Sequence, residues 1–248
     1  MRIEQPAFSF AIRRRAFLGL VTGASLAAAA PALAQGSGRP APLKIGIIGA
    51  GNIGGTLARL WVKAGHRVML SSRHPEQLTG LVRQLGPLAS AGTPAQAAAF
   101  GDAVLVAIPY GSYPQLGESL GGALAGKVVL DAGNPTSSRG PELAEEARAN
   151  GIGPTSRKYL GNPRLVRAFS NLGSGVLARE ASRPPPRLAM PILGDDREAL
   201  ELASRLVTDA GFDPVIVGTL ERAPDTAMGG SLSGVQTTAA ELRRRLGL

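Results

Sequence analysis

Cysteine is absent from all 248 residues. That removes disulfides, iron–sulfur clusters, thiolate zinc sites and a lipoprotein anchor. Histidine occurs only as His66 and His74, too few for a histidine-rich metal centre. Aromatic residues make up 4% of the chain, so Leu, Val, Ile and Ala must fill the core. Acidic residues are the minority, 18 against 27 Lys and Arg, for a formal charge of +9. No run of basic residues is interleaved with aromatics, which argues against nucleic acid as a partner. Past the first 34 residues the one basic cluster, Arg243, Arg244 and Arg245, falls in a helical pattern near its carboxyl end, where cations are favoured anyway. The basic balance suits anionic cofactors instead.

The apolar run at 19–30 is shorter than the ~20 residues of a spanning helix and rich in Ala, Gly, Ser and Thr. Arg13, Arg14 and Arg15 precede it, and Ala32-Leu33-Ala34 closes it before Gln35. A charged start, a short apolar stretch and a small-x-small site describe a cleavable export signal. Arg14-Arg15-x-Phe17-Leu18 resembles a twin-arginine signal, a route that carries folded proteins. The expected organisation is a signal peptide over 1–34, a linker over 35–42 and a mature domain over 43–248. That domain divides into a core (43–173) and an extension (174–248). The expected location is the periplasm, with no membrane contact once the signal is cleaved.

What the chain has in abundance is glycine, 33 residues. Five of them fall in Lys-Ile-Gly-Ile-Ile-Gly-Ala-Gly-Asn-Ile-Gly-Gly at 44–55, and three of these, Gly49, Gly51 and Gly54, form a G-x-G-x-x-G turn. An apolar strand running into G-x-G-x-x-G at a helix start presents free N–H groups to a pyrophosphate. About twenty residues on, where an NAD site places an acid for the ribose 2′-hydroxyl, stand Ser71, Ser72 and Arg73. A guanidinium makes paired, charge-assisted bonds to a phosphate dianion, so the pattern points to NADP.

Strand and helix patterns then alternate. The periodicity predicts strands over 43–48, 67–71, 103–108, 127–132, 165–169, 188–193 and 214–217, with a short one near Ala89. It predicts helices over 52–64, from Pro75, from Thr93-Pro94, and over 114–124, 141–149, 197–210 and 235–246. Repeated strand–helix–strand units predict an α/β fold: a Rossmann-type, doubly wound, mostly parallel sheet with a short C-terminal βαβ extension.

Ligands bind such sheets off the carboxyl ends of the strands. Little placed there titrates near neutrality. His74 reads as a loop residue, His66 as structural and Tyr110 as a packing residue more than an acid. Asp131, Asp195 and Asp196 read as strand-end and cap residues. No catalytic residue is singled out, and no metal ligand. A site without proton-transfer groups suits hydride exchange between a nicotinamide and a flavin-like ring, which needs only two rings held at the right distance.

KIGIIGAGNIGG, GHRVMLSSRHPE, VLVAIPYG, VVLDAGNPTS, LVRAFSNLGSGVL and ILGDDREALELASRLVTDAGFDPVIVG together resemble the NADP oxidoreductases that work with coenzyme F420, a deazaflavin. The reductase domain of six-transmembrane metalloreductases is related to them. The resemblance spans roughly 43–218. It implies that Gly49, Ala50, Gly51, Asn52 and Ile53 cradle the pyrophosphate, and that Ser72 and Arg73 hold the 2′-phosphate. It further implies that Ala107, Ile108 and Pro109 meet the nicotinamide ribose and that Asn134 lies near the nicotinamide. The implied cofactor is NADP(H), with F420 or a flavin as second substrate, ferric reduction through flavin being one outlet. A small-molecule substrate and a homodimer are expected. The competing reading is a non-catalytic NADP-binding sensor or partner subunit.

Overall fold

The computed structural model describes residues 40–248, Pro163 excepted; the export-signal residues lie outside the described part. The elements begin with β1 (Lys44–Ile48), α1 (Asn52–Lys63), β2 (Arg67–Ser71) and α2 (Thr79–Leu85). They continue with β3 (Ala89–Gly92), α3 (Pro94–Phe100), β4 (Ala103–Val106), α4 (Tyr113–Leu124) and β5 (Val128–Asp131). Then come α5 (Pro141–Asn150), α6 (Ile152–Leu160), β6 (Leu165–Arg167) and α7 (Ser174–Glu180). The chain closes with β7 (Ala189–Gly194), α8 (Arg197–Asp209), β8 (Asp213–Gly218), α9 (Ala223–Thr226) and α10 (Ala239–Leu246).

The strands form one sheet in the order β3-β2-β1-β4-β5-β6-β7-β8. Its first six positions follow the dinucleotide-binding order, with the reversal of direction between β1 and β4. Every neighbouring pair is parallel except β6 and β7, where Val166 faces Gly194 and Arg167 faces Leu193 in antiparallel register. The fold is thus a Rossmann-like, mostly parallel α/β sheet. Its last parallel unit, β7–α8–β8, is docked in the opposite sense.

Strand alternation sends side chains to two apolar layers. Ile45, Ile47, Leu105, Met190 and Ile192 pack with Leu57, Trp61 and Leu206 on one face. Ile48, Val104, Val106 and Leu193 pack with Tyr113, Leu116, Leu120 and Leu160 on the other. β4 and β5 are buried along their whole length, as expected for parallel strands covered on both sides.

Helix ends follow their local chemistry. After α1, His66 N–H donates to the Trp61 carbonyl and Gly65 N–H to the Val62 carbonyl, with Gly65 at φ +95°. That is a Schellman ending, and Gly211 and Phe212 repeat it after α8. α3 opens with a capping box: Gln96 N–H donates to Thr93 Oγ1 (3.2 Å) and Thr93 N–H to Gln96 Oε1 (2.8 Å).

The structure corrects several element boundaries. The helix expected from Pro75 begins with a 3-10 turn, Pro75–Leu78. The last helix starts at Ala239, not 235. Helices α6, α7 and α9 had no expectation at all. α6 carries Gly153 and Pro154, and α7 spans only seven residues; both patterns are too short or too interrupted to read as periodic.

Candidate coenzyme cleft

Where β1 and β4 end, an open cleft of about 760 Å³ is lined by residues from three strand ends and two helices. Its floor is Ile48 and the turn Gly49-Ala50-Gly51; Ser71, Ser72 and Arg73 come from β2 and the turn after it. Ile108 and Pro109 follow β4, and α4 contributes Gln115, Leu116, Ser119 and Leu120. These residues line one cleft that opens beside the reversal point of the sheet.

The three glycines meet three different demands. Gly49 has φ +103°, and an added Cβ would lie 2.5 Å from the Ala107 carbonyl oxygen. A Cβ on Gly54 would lie 1.9 Å from the Gly49 carbonyl oxygen, so α1 can pack on the turn only without it. Around Gly51 nothing lies within 4 Å of such a Cβ. Gly51 is also the N-cap of α1, with no side-chain cap and no acidic residue in the first turn. The first N–H groups of α1 are therefore left for a ligand, with the positive end of the helix dipole behind them.

At the other end of the cleft the two serines differ: Ser71 is buried and gives its proton to the chain, whereas Ser72 only accepts. Ser71 Oγ donates to the Ile47 carbonyl (3.0 Å), and Ser72 Oγ accepts from His74 N–H (3.0 Å). The exposed Arg73 makes no ion pair or hydrogen bond among the described residues. A guanidinium at the end of the second strand, with the Ser72 hydroxyl beside it, suits an anionic oxygen cluster.

Of the residues expected in the site, the cleft brings together Gly49, Ala50, Gly51, Ser72, Arg73, Ile108 and Pro109. Asn52 and Ile53 form the first turn of α1, and Ala107 is tied back to β1, its N–H donating to the Ile48 carbonyl (2.9 Å). Asn134 is not a lining residue. Its Oδ1 accepts from Arg167 Nη2 (2.7 Å) and Met228 N–H (3.3 Å), and its Nδ2 donates to the Ser170 carbonyl (2.8 Å). The sequence reading did not single out Leu78, Thr93, Ser112, Gln115 or Ser119 as cleft residues. For α4 the available signal was a polar i, i+4 pair beside an apolar one, Gln115/Ser119 and Leu116/Leu120.

Beside the cleft, at the ends of β5 and β6, lies a buried polar cluster that sequence spacing could not reveal. Arg167, 1% exposed, donates to Asp131 Oδ2 (3.2 Å), the Gly133 carbonyl (2.7 Å), Asn134 and Thr226 Oγ1 (3.2 Å). Asp131 also accepts from the Tyr113 hydroxyl (2.5 Å) and Gly133 N–H (2.8 Å). Burial, then the neighbouring Asp131 carboxylate, hold the Tyr113 phenol well above its ordinary range. Asp131 is thus more than a strand-end residue: it anchors a clamp between β5, β6 and α9.

The possible proton donors are otherwise engaged. Tyr110 is buried, its hydroxyl donating to the Ile152 carbonyl (3.0 Å) and lying 3.0 Å from Ser156 Oγ. Burial raises its pKa far above that of a free phenol. His66 Nδ1 accepts from Leu43 N–H (3.0 Å) and its Nε2 lies 2.9 Å from Asp209, which ties β1 to α8. Asp196 caps α8 through Ala199 N–H (2.7 Å). None of the described lining residues is His, Lys, Tyr, Asp or Glu.

Known proteins resemble this chain along most of its length. Rat Metalloreductase STEAP3 is 29% identical over 184 residues, 73% of this chain; the match spans 35% of the STEAP3 length, about a third. The Sinorhizobium meliloti protein SMa0349 shares the fold with a TM-score of 0.66 and 24% identity, over 80% of this chain and 96% of that one. A protein from Arthrobacter sp. FB24, assigned as an F420-dependent NADP-reductase, follows at TM-score 0.62 and 20% identity, over 73% and 87%. Residues 44–135, which include every residue lining the cleft, match the model of the family described as NADP oxidoreductase, coenzyme F420-dependent.

Proposed function

We propose that the protein is an NADP(H)-dependent oxidoreductase that exchanges hydride with a deazaflavin such as F420 or with a flavin. The observation that carries this reading is the pairing, in one cleft, of a helix start at Gly51 without a side-chain cap and an Arg73 without a partner among the described residues. The glycine turn would hold the pyrophosphate on the first N–H groups of α1. Arg73 and Ser72 would hold the 2′-phosphate, and Ile108 and Pro109 would carry the backbone under the distal ribose. When bound, the nicotinamide supplies the hydride chemistry. The chain's residues bind and orient; no lining side chain has to move a proton, which is what a ring-to-ring hydride exchange asks of a protein. The match of 44–135 to the F420-dependent family supports the same acceptor class, and the likeness to a metalloreductase supports an oxidoreductase role.

The test is to mix purified protein with NADPH and, separately, F420, FMN, FAD and a ferric chelate. Loss of NADPH absorbance with at least one acceptor is expected. Tight NADPH binding with no turnover for any of them would replace the enzyme by a coenzyme-binding subunit. We also propose export by the twin-arginine route. Changing Arg14→Lys together with Arg15→Lys should hold the protein in the cytoplasm; unchanged fractionation would refute it.

A further inference from the structure

We infer that Gln115 is the adenine-reading residue of the cleft, an inference that rests on the coenzyme reading above. Besides its 3′-hydroxyl, the adenosine ribose of NADP carries three large groups: the pyrophosphate, the 2′-phosphate and the base. With the first placed at Gly51 and the second at Arg73, the base has only the remaining wall to turn toward. That wall is α4 together with Leu78 and the start of α3. Leu78, Pro94, Leu116 and Leu120 supply apolar surface suited to a flat ring. Between them α4 turns out polar groups at 115 and 119, one helical turn apart.

These polar groups differ in how free they are. Thr93 is used in the capping box of α3. The Ser119 hydroxyl proton is given to the Gln115 backbone carbonyl (2.5 Å). The Gln115 carboxamide makes no hydrogen bond among the described residues. A carboxamide sets an acceptor beside a donor, and adenine sets its N6 amino group beside a ring-nitrogen acceptor, so the two edges match. Gln115 is exposed and takes no part in either apolar layer, so packing does not explain its place on this wall.

Calorimetric titration of NADP and of 1,N6-etheno-NADP, whose bridge removes the N6–H donors, tests this. The unaltered protein should bind NADP about ten-fold tighter than the etheno coenzyme, as one good paired contact implies. Gln115→Leu, which keeps the apolar slot, should bind both alike, with its affinity for the etheno coenzyme unchanged; that unchanged affinity also reports an intact fold. A preference that survives in Gln115→Leu, or no preference in the unaltered protein, overturns the inference. Failure of the unaltered protein to bind either coenzyme would instead bring down the coenzyme reading itself, and this inference with it.

Discussion

Gly51 and Gly54 stand three residues apart in one turn and answer to different constraints. A methyl group at 54 collides with backbone 1.9 Å away, whereas one at 51 meets nothing. Gly54→Ala should therefore destabilise the fold by about 1–3 kcal/mol, as overpacking does, lowering Tm by roughly 5 °C. Gly51→Ala should leave Tm unchanged while weakening NADPH at least about ten-fold, because the methyl fills the space a pyrophosphate needs. Scanning calorimetry with and without NADPH separates the two; a stability loss at 51 would show that the turn, not the ligand, demands glycine there. Arg73→Asp should cost about 1.5–3 kcal/mol of NADPH affinity, the range for a charged hydrogen bond, with NADH affected less. Equal losses for both coenzymes would remove Arg73 from the 2′-phosphate.

At the scale of elements, the β5–β6–α9 junction depends on one buried cation. Arg167→Met leaves the Asp131 carboxylate, 0% exposed, without its partner, and should cost about 3–5 kcal/mol in urea unfolding. A cost under about 1 kcal/mol would mean the clamp is dispensable. Tyr110 and Tyr113 keep their protons in the fold to higher pH than a free phenol with its ordinary value of 10.0. Above that value the unfolded chain releases protons that the folded one retains, so their stabilisation is present below pH 10 and falls as pH rises. Urea midpoints should drop between pH 9 and 11, and the drop should be shallower in Tyr113→Phe; an equal slope would contradict the assignment.

The β1–α1–β2 unit was legible because its signals are local. Gly49 to Arg73 lie within one strand–helix–strand, and β2 appears at the predicted 67–71. Asp131 was legible only as a strand end, because its charged partner Arg167 lies 36 residues away in the chain, and Thr226, which Arg167 also bonds, 59 residues beyond that. No spacing rule connects such positions.

For the whole molecule, a cleft that completes its contacts only in the fold should stabilise that fold when filled. NADPH at about 100 times its Kd should add about 2.7 kcal/mol to unfolding, visible as a thermal shift, and NADH at the same concentration should add less. Equal shifts would mean the protein does not distinguish the 2′-phosphate. The sheet itself shows where sequence and tertiary structure part. Residue order alone determined the alternation of strands and helices, the glycine turn and the basic residue replacing the acid. Each is set by neighbours within a few turns of chain. Only the folded chain decided that β7 pairs antiparallel with β6, that Arg167 is buried against Asp131, that Asn134 is held by its own chain, and that α4 turns Gln115 toward the cleft. Those outcomes depend on which surfaces meet across the sheet, and burial and charge pairing are properties of that meeting.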